Sequence, residues 1–362
     1  MKILIIGAGI AGITAGKILR DKNIDFEILE ASAVYGGRIK KIDNFADFPI
    51  DLGAEWIHKW ILARPEPLKS ILSNNDSKFK TFIEKPKTFF TWKNNKLRKR
   101  KWFNFLPSPT DLKFKDSSWF DVLENMMDEE LKSKIKFNEV VKSIEYKSDQ
   151  VKITTKSKNK YKSDKVLVCV PLKILQNKSI KFDPILPKYK EDAIQKEYIG
   201  NGLKIFFEFK ERFYPDVLMI GGYLKKIFNP MEECVYYNET LGKDSKKNIM
   251  GFFTQGKIAN KYTNFQSEAD LIKYVIRELD EIFEGQASKN YIKHIVQHWG
   301  NEEFIQGSYS HRRSSFKKLS KPIDNKIYFA GEAMNSKGRT IAVHGACESS
   351  YLAIEQMMKT IK

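Results

Sequence analysis

The sequence has few cysteines and no long apolar run, and both scarcities exclude classes of protein. Its three cysteines, Cys169, Cys234 and Cys347, lie far apart and in no metal-like spacing, which argues against a disulfide framework and indicates a reducing compartment. No stretch reaches the roughly 18–20 apolar residues that span a bilayer. The regular glycines near the N-terminus argue against a signal peptide. We therefore expect a soluble cytoplasmic protein without a membrane partner.

Arginine is also scarce, although the net charge is +18: ten arginines stand against 53 lysines, which are spread over the whole chain. Sites that recognise phosphate geometry favour arginine, so we expect a solvated lysine-rich surface and no nucleic-acid partner. The densest basic run, residues 93–102, is predicted to be an exposed loop or hairpin. His294, His298 and His311 share no ligand spacing, so no metal site is predicted.

The N-terminus carries the signature of a dinucleotide-binding βαβ unit. An apolar run at residues 2–6 precedes Gly7-x-Gly9-x-x-Gly12, a helical pattern follows, and a second strand ends at Glu30. Such glycines allow a tight turn and bring backbone N–H groups close to a pyrophosphate, and the acidic residue can accept a ribose hydroxyl. The second glycine pair, in Gly36-Gly37-Arg38, is more typical of FAD than of NAD. Arg38 can pair with a phosphate or stabilise the loop.

The whole chain, at 362 residues and 42% apolar composition, predicts one large two-lobed domain or two domains. Residues 138–175 indicate three strands, and residues 200–330 alternate strands with an amphipathic helix at 267–283. Signals are weak between residues 60 and 134. A final helix is expected to begin near Ala342. Lys204 is unusual inside the apolar strand LKIFFEF: its charge is costly unless it is paired, functional or on an edge strand.

The stretch DLGAEWIHKW, residues 51–60, places small residues beside aromatic ones. Gly53 and Ala54 would let another group approach closely. If the stretch is extended, Ala54, Trp56 and His58 share one face. His58 is then either a packed side chain or a proton-handling ring at a site.

Taken together, GAGIAG, GGRI, DLGAEWIH, NEVVKSIEY, the HWG–GSYS stretch and the C-terminal FAGEA–VHGA segment resemble the flavin-containing amine oxidases. This family includes polyamine oxidases, monoamine oxidases and flavin histone-lysine demethylases, and DLGAEWIH and NEVVKSIEY are most similar to the polyamine-oxidase branch. The resemblance implies an α/β (α+β) fold. An FAD-binding Rossmann-like domain of the glutathione-reductase type (1–59, 135–178 and 321–362) would interleave with a mixed-sheet substrate-binding domain (60–134 and 179–320) whose helical insertion is shortened.

The resemblance also implies the cofactor, a non-covalent FAD, because Ser308 stands where monoamine oxidases carry a flavin-linking cysteine. The backbone of Val141 would meet the adenine, and the last helix, starting at Ala342 and Val343, would point its positive end at the flavin. The full set of implied cofactor-binding residues is Gly7, Gly9, Ile10, Ala11, Gly12, Glu30, Ala31, Gly36, Gly37, Arg38, Leu52, Gly53, Ala54, Glu55, Trp56, Val141, Trp299, Gly331, Glu332, Ala342 and Val343.

Four residues are implied in catalysis. Lys204 matches the family lysine that hydrogen-bonds a water beside flavin N5, Trp299 flanks the flavin ring, and Tyr309 is a wall of an aromatic cage that attracts an amine cation. His58 would bind or deprotonate the amine. The implied reaction transfers hydride from the C–N carbon to flavin N5, hydrolyses the imine and returns the electrons to O₂ as H₂O₂.

Departures from the family pattern leave the substrate open. Ala342 replaces a Tyr or Thr of the cage, and Lys337 and Arg339, expected near the flavin face, would suit a substrate with a carboxylate. An L-amino-acid oxidase is therefore an alternative to a polyamine-type or monoamine oxidase. Two further alternatives are a desaturase or dehydrogenase with an acceptor other than O₂ and a non-catalytic flavoprotein scaffold with a basic binding surface. The oligomeric state is left open.

Overall fold

The computed structural model describes residues 1–58, 68, 78–100, 111–221, 232–310, 315–337 and 341–360. Within these ranges it contains twenty strands and ten α-helices. The strands are β1 Lys2–Ile6, β2 Asp25–Leu29, β3 Lys41–Ile42, β4 Ile50–Asp51, β5 Thr81–Ile83, β6 Phe89–Lys93, β7 Lys96–Arg100, β8 Leu112–Phe114, β9 Ile135–Lys136, β10 Val141–Glu145, β11 Val151–Thr155, β12 Lys160–Ser163, β13 Lys165–Val168, β14 Lys181–Asp183, β15 Gly202–Phe209, β16 Val217–Ile220, β17 Glu233–Asn238, β18 Asn248–Gln255, β19 Tyr291–His298 and β20 Ile327–Phe329. The helices are α1 Ile10–Asp21, α2 Trp119–Asn125, α3 Glu129–Ser133, α4 Leu172–Gln176, α5 Lys188–Lys196, α6 Asn260–Thr263, α7 Glu268–Phe283, α8 Gln286–Asn290, α9 Phe316–Ser320 and α10 Val343–Met358.

A five-stranded parallel sheet forms the first layer, in the order β20-β13-β1-β2-β9. Its central strand β1 is buried on both faces, as the apolar run predicted. One face packs on α1 and α10 through side chains such as Ile5, Ile13 and Ile354. The other packs on the four-stranded sheet β12-β11-β10-β14 through Ile6 and Ile144. The Rossmann-like layer is thus built from segments far apart in sequence.

A seven-stranded sheet forms the second lobe, in the order β19-β15-β18-β17-β16-β6-β7. Along β15 the side chains alternate: Leu203, Ile205 and Phe207 face α7, whereas Phe206 packs on the opposite face beside Tyr237. Lys204 falls on that same opposite face. Because β15 pairs with both β18 and β19, Lys204 is not on an edge strand.

Several local expectations can be compared with these elements. Residues 89–100 form a hairpin, β6–β7, whose first strand is buried at Phe89 and Thr91 and whose basic second strand is exposed at all five positions. Residues 101–102 of the predicted basic loop or hairpin lie outside the described residues. Helix α7 begins one residue after Ser267, whose hydroxyl accepts from the backbone N–H of Asp270. Residues 138–175 contain four strands rather than three, because the short segment Lys160–Ser163 pairs with β11 before β13 enters the parallel sheet.

In the described part of the chain, no helix has the length and apolarity required to cross a membrane.

Candidate active site

One cavity of about 750 Å³ runs between the two lobes. It is lined by the glycine-rich turn after β1, the end of β2, the loop at residues 36–43, the stretch 53–58, the start of β10 and the first turn of α10. Its volume lies within the range of about 300–1,000 Å³ found for ligand pockets. The carboxyl ends of parallel strands and a helix N-terminus therefore meet in one cleft, which is where doubly wound sheets bind ligands.

The turn after β1 fits a dinucleotide. Gly7 has a φ of +101° and lies in contact distance of the Cys169 backbone. The Glu30 carboxylate accepts the backbone N–H of Ala8 at 2.6 Å and that of Ser32 at 2.9 Å, which fixes it at the cavity wall. A carboxylate held this way can accept further hydrogen bonds from ribose hydroxyls, since it has about four acceptor positions.

The second glycine pair closes over the first. Gly36 and Gly37 have φ of +117° and +59°, and Gly36 bridges to Gly9. Arg38 lines the cavity, but its guanidinium already donates to the carbonyl of Ser308 at 2.8 Å and to Glu332 at 3.2 Å. Arg38 therefore ties this loop to the C-terminal segment while presenting positive charge to the cavity.

The C-terminal segment brings a helix N-terminus to the same cleft. Ala342 is the N-cap of α10, with extended backbone, and Val343 is its first residue. Glu332 braces the approach to this helix, because its carboxylate accepts from Ser310 at 2.6 Å and from the backbone N–H of Ile341 at 3.3 Å. The positive end of α10 is thus directed at the cavity and can stabilise a negative charge there.

The aromatic part of the cavity lies against the seven-stranded sheet. Trp56, Phe253, Trp299 and Tyr309 line it. The Trp56 and Phe253 ring centroids are 6.2 Å apart, and those of Phe253 and Tyr309 are 6.4 Å apart. Burial raises the pKa of Tyr309 well above its ordinary value, so its hydroxyl stays neutral. These rings form an apolar wall suited to a flat ring or an alkylamine.

Lys204 lies in this wall, on the same face of β15 as Phe206. Its amino group donates to Glu55 at 2.5 Å and to the Asp51 carbonyl at 3.0 Å, and it lies 5.3 Å from the Trp56 ring centre. Its side chain is 2% exposed. The buried charge is therefore paired, as its position in an apolar strand required.

Glu55 belongs to a larger group, which we call the buried ion cluster: Glu55, Lys113, Lys204, Tyr237 and Glu239. Lys113 lies 2.6 Å from the second oxygen of Glu55 and also contacts Glu239. Tyr237 donates to Glu55 at 2.7 Å. Burial alone would raise the pKa of Glu55, but the two lysines outweigh it and hold that pKa far below the ordinary value. The glutamates likewise outweigh desolvation and raise the pKa of Lys113.

His58 is placed at the cavity by an isolated bridge between Ile57 and Leu112. Its Nδ1 lies 2.8 Å from the carboxylate of Asp111. A carboxylate at one ring nitrogen fixes the orientation and tautomer of the imidazole. The His58–Asp111 pair is thus a candidate acid–base group in the cleft.

Two residues of the expected cofactor set do not line the cavity. Gly12 faces the turn instead: a Cβ there would lie 1.9 Å from the Gly7 carbonyl oxygen, so its role is close packing of helix on strand. Leu52 is in the apolar cluster around Phe45 and Ile50. The other members of the set line the cavity together with Lys204, His58 and Tyr309.

The cations expected at the flavin face are only partly described. Arg339 lies outside the described residues. The amino group of Lys337 lies 3.3 Å from Glu348 on α10, and Lys337 is not among the residues that line the cavity. Asn335 links the two residues, because its side chain accepts from the Lys337 backbone N–H and donates to Glu348. His344 packs edge-on against Trp119 in the core.

Sequence reasoning missed Lys113 and Asp111. Lys113 carried the same signal as Lys204, a lysine between apolar residues of a short strand, in Leu112-Lys113-Phe114. Asp111 had no comparable signal, because it follows the weakly patterned residues 101–110 and meets His58 only in the folded chain.

The chain is similar to known proteins along nearly its whole length. The family of flavin containing amine oxidoreductases matches residues 110–358, and an NAD(P)-binding Rossmann-like domain matches residues 5–72. The chain is 25% identical to polyamine oxidase 3 of Oryza sativa subsp. japonica over 98% of this chain and 88% of that protein. It is 22% identical to polyamine oxidase 2 of Arabidopsis thaliana over 98% and 87%. A solved structure of putrescine oxidase bound to putrescine superposes with a TM-score of 0.78, at 14% identity, over 99% of both chains.

Proposed function

This chain belongs to the flavin-containing amine oxidoreductases, whose family match covers more than half of it, and on that premise we propose that it oxidises a C–N bond of a polyamine-like or monoamine substrate with O₂ as the electron acceptor. Its cofactor is FAD. Bound FAD would supply the two-electron chemistry of the reaction, as hydride acceptor for the carbon next to nitrogen and as electron donor to O₂, with H₂O₂ as the product. The imine hydrolyses in water.

The observation that carries the proposal is the continuity of one cavity. It joins the glycine cradle and Glu30 at one end to Trp56, Lys204 and His58 at the other. A dinucleotide anchored at the first end would therefore lie in the same space as a substrate held at the second. The plant relatives that are named polyamine oxidases support the choice of an amine with more than one nitrogen.

The aromatic wall is suited to an alkylammonium ion. Faces of Trp, Tyr and Phe rings attract cations and pack against methylene chains. Trp56, Phe253 and Tyr309 offer such faces. Trp299 and Gly53 lie next to each other, since a Cβ on Gly53 would meet the Trp299 indole at 3.1 Å. The indole edge and the small residue would together leave a slot for a flat ring.

The His58–Asp111 pair would handle the proton of the amine. A protonated amine holds its α-hydrogen too tightly to release hydride, so one proton must leave before oxidation. His58 can accept it, and the carboxylate of Asp111, 2.8 Å from Nδ1, would orient the ring for this transfer. His58 would otherwise bind a distal nitrogen of the substrate.

Lys204 would assist the reaction with O₂. An ammonium group in a buried site stabilises negative charge that develops on O₂ during reduction. Ser308 supports a non-covalent cofactor, since it lines the cavity with a hydroxyl in place of a thiol.

One of the two cations that would suit an amino acid is paired. Lys337, which would have attracted a carboxylate, is paired with Glu348. The test is aerobic turnover of the FAD-loaded enzyme with spermidine, putrescine, a monoamine and L-amino acids, with H₂O₂ and aldehyde measured together. We expect equal amounts of the two products from a polyamine or monoamine. Turnover only with L-amino acids would support the alternative oxidase, and aldehyde without H₂O₂ would indicate a different electron acceptor.

A further inference from the structure

The ammonium group of Lys204 has three N–H donors, and the described residues take two of them. One goes to Glu55 at 2.5 Å and the other to the Asp51 carbonyl at 3.0 Å. Lys204 also lines the cavity. The third donor is therefore left for whatever occupies the cavity, and its direction is set by the two bonds behind it.

Glu55 divides its two oxygens between two cations. One oxygen lies 2.6 Å from Lys113, and the other accepts from Lys204 and from Tyr237 at 2.7 Å. The side chains of Glu55, Lys113 and Lys204 are all 2–3% exposed. Solvent screening is therefore weak, and each charge depends on its partners.

The buried ion cluster is a set of fixed charges and not a proton relay. A relay needs groups that exchange protons at little cost. Here the pKa of Glu55 is held low by the two lysines, and the pKa of Lys113 is held high by Glu239 and Glu55. Burial raises the pKa of Asp51 well above its ordinary value, which disfavours a second negative charge next to Lys204.

The other polar groups that face the cluster strengthen this arrangement. Glu84 lies 3.8 Å from Lys113 and accepts from the Trp56 indole at 3.1 Å. Lys243 lies 2.9 Å from Glu239. The Trp56 ring is also flanked by the amino groups of Lys113 and Lys204, at 5.6 and 5.3 Å. The same charges that orient Lys204 thus fix the aromatic wall beside it.

We propose that Glu55 is a positioning residue that holds the amino group of Lys204 with one N–H directed into the cavity, and that Lys113 in turn fixes Glu55 in place for this task. The inference rests on the role proposed above for Lys204 in the reaction with O₂. Reduction of O₂ to H₂O₂ takes two electrons and two protons. The reduced flavin provides both electrons and one proton, and water provides the second proton. Lys204 keeps its own proton throughout.

The test compares Glu55→Gln with Glu278→Gln. Glu278 is a matched control because it is also a buried carboxylate held by one lysine and two tyrosines: Lys261 at 2.6 Å, Tyr236 at 2.8 Å and Tyr262 at 2.9 Å. It lies on α7 and does not line the cavity. The flavin of each holoenzyme is reduced anaerobically with light and oxalate as the electron donor, without any amine, and its reoxidation by O₂ is followed. In parallel, protein labelled with ¹⁵N-lysine is examined for slowly exchanging ammonium signals, and Lys204→Met assigns the signal of Lys204.

We expect E55Q to reoxidise about tenfold more slowly than wild type, the effect of one lost charge-assisted hydrogen bond, and to lose the Lys204 ammonium signal. E278Q is expected to match wild type in both measurements. Reoxidation of E55Q at the wild-type rate, or survival of the Lys204 signal in E55Q, would overturn the inference.

Glu55→Asp keeps the negative charge on a shorter side chain. This variant tests the inference if E55Q does not fold. We expect E55D to retain the Lys204 signal but to reoxidise more slowly than wild type; an unchanged rate would count against positioning. Because no amine enters these measurements, their outcome is independent of the substrate. A chain that no amine reduces would refute the proposed function and leave the inference on Glu55 to its own result.

Discussion

Replacement of Lys204 by Met separates the two half-reactions of the proposed oxidase. Met has a similar length and fills the site without charge. The variant loses the bonds to Glu55 and to the Asp51 carbonyl, but Glu55 keeps Lys113 at 2.6 Å and Tyr237 at 2.7 Å. No carboxylate is left unpaired, so we expect the free energy of unfolding to fall by about 1–2 kcal/mol and not by the ~3–5 kcal/mol typical of a broken buried pair.

The effect on O₂ chemistry follows from the charge. Two unit charges about 4 Å apart interact by ~4 kcal/mol at an effective dielectric constant of about 20, which corresponds to roughly a 10³-fold change in rate. Glu55, in contact with the same ammonium, offsets part of this. We expect flavin reoxidation in K204M to slow by about 10²-fold, while flavin reduction by amine changes by less than about threefold.

Stopped-flow absorbance measures both half-reactions in the FAD-loaded enzyme. Lys190→Met is the matched control, because Lys190 is a fully buried lysine that donates to the carbonyls of Leu319 and Lys321 and does not line the cavity. It should leave both rates near wild type. Equal slowing of reduction and reoxidation in K204M would refute the role assigned to Lys204.

Three further predictions concern the cofactor and the stability of the fold. A Cβ at Gly12 would lie 1.9 Å from the Gly7 carbonyl oxygen, so Gly12→Ala should weaken FAD binding by about 100-fold or more through backbone displacement; full flavin content after dialysis would contradict this. Acid precipitation should release intact FAD, since Ser308 offers no thiol, and flavin that stays with the precipitate would show a covalent link. Burial lowers the pKa of Lys190 to about 7 from an ordinary value of about 10.4; the unfolded chain therefore binds more protons between about pH 7 and 10, and the contribution of Lys190 to the free energy of unfolding rises with pH across that window. In denaturant titrations K190M should lose this rise, and an identical pH profile would argue against it.

Most elements of the fold could be predicted from local sequence patterns. Periodicity and glycine spacing predicted the βαβ start, apolar strands such as β15 and the beginning of α10 at Ala342. These signals depend only on neighbours in sequence. The alternation in LKIFFEF also placed Lys204 on the face opposite Ile205. It did not reveal that β15 is an interior strand, since sheet order depends on contacts between distant segments.

The site was less accessible to sequence reasoning. The glycines and Glu30 could be assigned because one motif contains them and its chemistry is local. The partnership of Lys204 with Glu55, and of Glu55 with Lys113, could not, because the three residues come from separate segments that meet only in the folded chain. The expected place of Lys337 at the flavin face stays a prediction; its amino group lies 3.3 Å from Glu348, on the first turns of α10. The domain boundaries stay a prediction.

The most direct test of the central claim is anaerobic mixing of the FAD-loaded enzyme with polyamines, monoamines and L-amino acids while the visible absorbance of the flavin is recorded. The account predicts rapid loss of the oxidised-flavin absorbance with a polyamine or monoamine, and its recovery when O₂ is admitted. An oxidised spectrum that persists with every amine would contradict it.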